Sequence, residues 1–502
     1  MADLLAGIDW TIQRARREGP SSTLRVLNLS VGADSTESFI VDPLAVAARS
    51  AGAAGLVVVA AAGNHGRNAA GQPVWGNIVS PGHDPSVITV GAAHPAGTAD
   101  RGDDAVATFS SRGPTRGAWQ FGNGKPWVDN LVKPDLVAPG VRLVGPLAAD
   151  GSGTPAGWNV IARTYPELTQ VPGATQRPRE ALMFLSGTSV AAPVVAGAAA
   201  VLLQANPGLT PALGKAILQY SAEPLPGASL LEQGTGQVNL EGAARLAQAL
   251  RTDITAALER GRLRAGDPLL APGRTLPELR STIGGRSFAW SGMVFAGGNR
   301  LIGGEALFSR WQPVWEPGLT WARTFTLRMD EVRADGRRGP LRAALFDGRP
   351  TSYAESAAPP QRLLGAGVRL LDPLAAAPGQ ASRVLVTPVT ELAARVRSGV
   401  GVTLGNGLDW APTGTLAADG LLLSQGFIIT EGFILTEGFI LTEGFILTEG
   451  FILTEGFILT EGFIITEGFI ITEGFIITEG FILTESPDPA ARIDDAFRGH
   501  RR

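Results

Sequence analysis

Two residues have the type and setting for acyl-transfer chemistry. Ser189 follows Gly187-Thr188 and stands at the start of a run of small and apolar residues reaching Gln204. That run predicts a buried helix, and a serine in its first turn sits among unpaired backbone N–H groups at the positive end of the helix dipole. An oxyanion forming on a carbonyl attacked by Ser189 would be stabilised there, with the Ser189 N–H as one donor. An N-cap role is the commoner use of such a serine, so a second feature is needed. Asn64 is that feature: it ends the apolar run 56–62 (LVVVAAA). The C-terminal edge of a buried strand is where doubly wound sheets place their ligand sites.

The elements that must position these residues alternate through residues 1–250. Leu4, Ile8, Ile12 and Ala15 lie at helical spacing with Gly19 as a stop. Residues 24–30 form a short apolar strand, and Val41-Asp42-Pro43 opens a second helix with Pro at its first position. The continuous apolar runs at 56–62 and 86–91 are of the kind buried on both faces of a parallel sheet. After the helix at Ser189, Thr210-Pro211 opens another. Strands alternating with helices predict an α/β fold with a doubly wound parallel sheet.

Four segments in order identify the family that this region resembles. They are Val26-Leu27-Asn28-Leu29-Ser30-Val31-Gly32, then 57–63 running into Asn64, then Lys133-Pro134-Asp135-Leu136-Val137-Ala138-Pro139-Gly140, then Leu185-Ser186-Gly187-Thr188-Ser189-Val190-Ala191-Ala192-Pro193. Lesser matches lie at 86–92, 107–114 (ATFSSRGP) and 234–239 (GTGQVN). Together they resemble the subtilases, the subtilisin-like (peptidase S8) serine endopeptidases, over essentially all of residues 1–250. The resemblance implies that Ser189 is the nucleophile and that Asn64 supplies the side-chain N–H₂ of the oxyanion hole. It also implies that Ser30, Val31 and Gly32 with Ala62 and Gly63 hold an extended polypeptide substrate and wall its first specificity pocket. Small residues suit that role, because a peptide pairing as a strand must approach the backbone closely. Asp135 is expected to be structural.

A serine nucleophile needs a base, and the base needs a carboxylate to orient it. In the subtilases both precede the segment matching 26–32, the His in a His-Gly-Thr-His-type helix start, and neither motif occurs here. The four histidines stand at 65, 83, 94 and 500. The first three are expected to be solvated loop residues, His65 pointing away from its neighbour Asn64. Residues 2–19 match the family helix that follows the catalytic His. The chain is therefore expected to lack one end of the sheet, to expose apolar surface along that edge, and to have little or no proteolytic activity as it stands. Met1 opens directly onto Ala-Asp-Leu-Leu-Ala-Gly-Ile-Asp-Trp with no signal peptide. An extracellular or cell-surface location is what the resemblance implies.

Residues 251–420 change character, with Gly and Pro between short strands, and are expected to form a β-rich domain of unknown role. In 321–329, Trp321, Phe325, Leu327 and Met329 share one face by period two, with Arg323 the exception; 384–387 and 400–403 are further strand candidates. Trp311, Trp315 and Trp321 are expected to be core residues rather than the lining of a sugar or peptide groove.

Residues 421–485 contain ten tandem hexapeptides, Gly-Phe-Ile-(Leu/Ile)-Thr-Glu, from Gly426 to Glu485, before a polar tail over 486–502. A period of six is even, so in an extended chain each residue type keeps one face. On a helix the pattern would rotate about 240° per repeat and leave no apolar stripe. The expectation is a short-strand β-repeat, stacked as a solenoid or a narrow meander, with self-association as a role. A non-catalytic peptide-binding protein, or a repeat-containing surface protein, is the alternative to an enzyme.

Composition bounds the rest. The 502 residues exceed one ordinary domain. A formal net charge of −4 gives no reason to expect nucleic acid as a partner. With no cysteine there is no disulfide, thiolate metal site or Cys nucleophile. No metal ligand set and no cofactor are assigned; structural calcium is common in the family, without ligands assignable here. No stretch is expected to span a bilayer.

Overall fold

The computed structural model describes residues 1–18, 23–120, 126–129, 131–148, 157–177, 179–298, 300–322, 325–332, 338–340, 352–358, 363–371 and 388–398, and beyond them short strands between 402 and 484. Helix α1 (Ala2–Glu18) precedes strand β1 (Val26–Leu29), helix α2 (Pro43–Ala53) and strand β2 (Val57–Ala61). Asp42 caps α2, accepting the N–H groups of Leu44 and Ala45, with Pro43 at the first helical position. There follow β3 (Val74–Trp75), β4 (Ile88–His94), β5 (Ala105–Val106), the hairpin β6 (Ala118–Gln120) and β7 (Pro126–Val128), and β8 (Leu136–Pro139). A second hairpin, β9 (Leu143–Pro146) and β10 (Leu182–Leu185), leads into the long helix α4 (Thr188–Ala205), with the short α3 (Val160–Thr164) between its strands.

Strands β1, β2, β4 and β8 pair in parallel in that order, the α/β core expected from the alternation. Strand β2 shows why its sequence is continuously apolar. Val57, Val59 and Ala61 pack with α4 residues such as Ala191, Val195 and Ala198. Val58 and Ala60 enter the opposite layer with Ile8, Ile12, Leu44 and Ala48 of α1 and α2. With both faces covered, each Val contributes on the order of 1.5–3 kcal/mol of burial. Among the described residues β1 pairs only with β2, so it forms the sheet's edge.

Helix α4 crosses β1, β2, β4 and β8 on one face. Its small residues let it lie close to the strands. It is also 18 residues long with mean hydropathy 1.7, long and apolar enough to cross a membrane. This corrects the expectation that no stretch reaches that length, and the reason is its position as the central helix of the core. Its outer face is left open: Val194 is 37% and Val201 41% exposed.

Helices α5 (Pro211–Ser221), α6 (Leu230–Gln233), α7 (Leu240–Ala249) and α8 (Ile254–Glu259) complete this layer. The core then runs on without a break into Trp290, Val294, Phe308, Trp311, Trp315 and Trp321. Phe308 bridges the two parts, its ring centroid 4.8 Å from Tyr220 and 6.4 Å from Trp315. The three tryptophans are buried, at 3%, 3% and 4% exposure, and are packing residues.

The strands after 279 form small antiparallel sheets: β11 (Arg280–Ile283) with β12 (Arg286–Ala289), β13 (Met293–Ala296) with β14 (Arg300–Gly303), and β15 (Leu319–Ala322) with β16 (Phe325–Val332). The run 321–329 is thus a hairpin rather than one strand, Trp321 facing Thr326. Period two does hold within β16: Leu327 and Met329 are buried, while Arg328 turns the other way to Glu316. The second candidate strand is Val402–Leu404; 384–387 lies outside the described residues.

In the hexapeptide region, strands pair in parallel at a spacing of three hexapeptides. Ile434–Thr436 pairs with Ile452–Thr454, and that strand with Ile470–Thr472. Two further ladders start at Leu421–Ser424 and Ile428–Thr430. Leu421 and Leu422 also pair in parallel with Val74 and Trp75 of β3.

Candidate active site

The first turn of α4 builds one half of the site. Gly187 adopts φ +149°, a conformation suited to glycine, and its N–H donates to Gly140 O. Gly187 O in turn accepts the N–H groups of Val190 and Ala191. The Thr188 N–H donates to Asn64 Oδ1 at 2.8 Å. Among the described residues, this leaves the Ser189 N–H as the first-turn donor without an acceptor.

Asn64 contributes the other half. Its Oδ1 accepts both the Thr188 N–H and Thr188 Oγ1, the latter at 3.0 Å, while Thr188 Oγ1 accepts the Gly63 N–H at 3.1 Å. A backbone N–H can only donate, so the amide orientation is settled and Nδ2 is the atom directed outward. A methyl group placed on Gly187 would lie 3.5 Å from Asn64 Nδ2, 3.7 Å from Asn64 Oδ1 and 3.7 Å from Ser189 N. The two N–H donors therefore lie beside the bare α-carbon of Gly187, with Oδ1 already taken by Thr188. Donors of this kind are what stabilise developing negative charge.

The expected substrate walls also come together. Ala33 and Ser80 exchange two backbone hydrogen bonds, of 3.1 and 2.9 Å, which joins the segment after Gly32 to the one after Val79. The Val79 N–H donates to Ala62 O at 3.1 Å. A side chain on Gly32 would run into Val79 Cγ2 at 2.3 Å, and one on Gly63 into Val79 Cγ1 at 2.8 Å. Val79, 5% exposed, thus lies between the two walls, and Val31 is 46% exposed. Sequence reasoning missed Val79 and Thr188 as site residues. Thr188 could have been found from its place beside Ser189; nothing local marks Val79.

Asp135 is structural, as expected from the Lys-Pro-Asp motif. It is buried, bonded to Lys133 Nζ at 2.7 Å and Lys215 Nζ at 2.8 Å, and it accepts the Thr89 N–H at 2.8 Å. Burial works against its ionisation, but Lys133 and Lys215 together hold its carboxyl below the ordinary value. Burial likewise depresses Lys133, against the pull of Asp135.

The histidines divide. His65 and His94 are exposed, and His65 Nε2 lies 3.7 Å from Asp34 Oδ1. His83 is 3% exposed, which corrects its reading as a solvated loop residue. It lies in the turn before β4, beneath which Asp42, Asp84, Arg49 and Lys133 are themselves buried. Both ring nitrogens lack a hydrogen-bond partner, and burial pushes its pKa down. Among the described residues Ser189 Oγ has no base bonded to it, and no group of three or more His, Asp or Glu is placed to hold a metal.

Residues 1–241 match the model of the subtilase family. Serine protease AprX of Bacillus subtilis (strain 168) is 35% identical over 245 residues, 48% of this chain and 48% of that protein. Membrane-bound transcription factor site-1 protease of Mus musculus is 32% identical over 218 residues, 43% of this chain and 16% of that one. Subtilisin-like protease SBT6.1 of Arabidopsis thaliana is 30% identical over 226 residues, covering 44% and 17%. Among solved structures, a protease from Pseudoalteromonas arctica PAMC 21717 is 25% identical with a TM-score of 0.32, over 48% of this chain and 57% of that one. Over residues 1–241 the chain thus resembles the subtilase family of serine-type endopeptidases. It spans less than half the length of each of these relatives.

Proposed function

We propose that this chain carries the nucleophile and oxyanion hole of a serine endopeptidase, and that a further polypeptide segment supplies the base. Ser189 Oγ would attack the scissile carbonyl while the base takes its proton. The tetrahedral oxyanion would be held by the Ser189 N–H and Asn64 Nδ2. The proton then passes to the leaving amine, and water releases the acyl group from Ser189. The observation that carries this reading is the placement of those two donors beside Gly187. The unpaired edge of β1 and the exposed Val194 and Val201 of α4 support a segment docking there with the His and its orienting carboxylate. An extracellular or surface location belongs to the same reading and rests on family resemblance.

The test is fluorophosphonate labelling of the protein extended upstream in frame from Met1. Labelling is expected, with loss in Ser189→Ala and absence from the 502-residue chain alone. A folded, extended protein that does not label would sink the proposal in favour of a non-catalytic peptide binder.

The repeats favour a second, compatible role. Parallel pairing at a spacing of three hexapeptides supports a three-sided solenoid over a meander, whose neighbouring strands would be antiparallel. An open solenoid end is an edge for pairing between copies. Deleting 426–485 is expected to abolish self-association; an unchanged sedimentation coefficient would count against this role.

A further inference from the structure

The two substrate-facing walls each end in an exposed ionisable side chain that the chemistry above leaves unused. Asp34 follows the first wall, one residue beyond Ala33, whose backbone is fixed by its two bonds to Ser80. His65 follows the second, its N–H on Ser111 Oγ at 3.1 Å and its carbonyl accepting from Asn77 Nδ2. The side chains are 67% and 56% exposed, and His65 Nε2 stands 3.7 Å from Asp34 Oδ1. That is well beyond the roughly 2.7–2.9 Å of a charge-assisted hydrogen bond, so the Asp34 carboxylate is not committed to its neighbour. Arg67, two residues after His65, is turned to Gly71 O.

Between the walls, Val79 side-chain carbons stand 2.3 and 2.8 Å from where a β-carbon on Gly32 or Gly63 would lie, with Ser111 Oγ 2.7 Å from the latter position, so the floor is shallow and mainly apolar. A long substrate side chain entering there cannot sink its end. An amphipathic one can lay its methylenes on Val79 and turn its charged head back toward the mouth, where Asp34 stands. We propose that Asp34 selects a substrate with Lys or Arg in this crevice, and that His65 tempers the preference by competing for the same carboxylate. This rests on the peptide-cleft reading given above.

Binding reports on it without catalysis. Fluorescence anisotropy on the full chain would compare N-terminally labelled peptide amides that are identical except for a C-terminal Lys, Leu or Glu. Exposed ion pairs are weak, so the Lys peptide is expected to bind about three- to fivefold tighter than the Leu peptide, with Glu weakest. Asp34→Asn should erase the difference between Lys and Leu, and His65→Ala should enlarge it. Raising the salt concentration should shrink it. Equal binding of Lys and Leu peptides, or a Lys preference that survives Asp34→Asn, overturns this inference and leaves the cleft reading in place. No measurable binding of any peptide overturns both.

Discussion

The Thr188 backbone N–H donates to Asn64 Oδ1 at 2.8 Å, although 124 residues separate the two in sequence. That one bond decides which end of the Asn64 amide is tied to α4 and leaves Nδ2 as the free end, and the Thr188 hydroxyl reinforces it while tying down the Gly63 N–H. On the proposed function, the oxyanion donor is thus held in place before substrate arrives, and fixed dipoles stabilise developing charge most effectively when they need no reorganisation.

In the complete, active protein, Asn64→Leu is expected to lower kcat by about 100- to 1,000-fold with little change in KM, a magnitude established for the equivalent donor in a subtilisin. Thr188→Val keeps the backbone bond but loses both hydroxyl bonds, and is expected to cost about tenfold, near one net hydrogen bond. Steady-state kinetics on one peptide substrate would check both. A Thr188→Val loss as large as that of Asn64→Leu would mean that the hydroxyl does more than orient the amide.

Asp135→Asn should be among the most damaging single changes. It leaves Lys133 and Lys215 facing each other in the interior without a counter-ion, and breaking such a buried pair costs about 3–5 kcal/mol. Urea denaturation would register the loss, which should far exceed that of Glu391→Gln in the exposed pair with Arg395.

Stability should fall on mild acidification because of His83. Burial lowers its folded-state pKa below the ordinary 6.5, so between those two values the unfolded chain binds the proton that the folded one refuses. Above 6.5 neither state is protonated and the cost is absent. As the pH drops below 6.5 the cost grows, by up to about 1.4 kcal/mol per pH unit. Asp42 and Asp84 face the ring and favour its charge, while Lys133 and Arg49 oppose it. Urea midpoints measured from pH 7.5 to 5 should decline in the native chain and flatten in His83→Leu.

The two faces of α4 should respond differently to mutation. Val195 is fully buried against the sheet, and Val195→Ala is expected to cost about 2 kcal/mol by leaving a cavity. Val194→Ser and Val201→Ser lie on the open face and should each change the stability of this chain by less than about 1 kcal/mol. Thermal melts of the three variants would test this. Equal losses would show that in solution the outer face is already covered.

Much of this was legible in the residues. The all-apolar strand β2, the Asp42-Pro43 helix start and the small-residue helix after Ser189 follow from periodicity and capping, which are local. Local reading failed where the partner is distant. The position of His83 looked like any polar turn, because the Asp42, Arg49 and Lys133 around it come from other elements. Residues 321–329 kept their period but hid a reversal of the chain. Trp311, Trp315 and Trp321 could be assigned to the core but not to one continuous with the parallel sheet.

By itself, the order of motifs pointed to the family that residues 1–241 match, and to Ser189 and Asn64 as the candidates for nucleophile and oxyanion donor, because each motif reflects backbone chemistry within a few residues of Gly187, Ser189 or Asn64. Only the tertiary structure decided how that amide is oriented, that Val79 closes the crevice between two glycines, and that Asp34 and His65 meet across its mouth. Those are relations between strands and loops that lie far apart in sequence, and only folding brings them together.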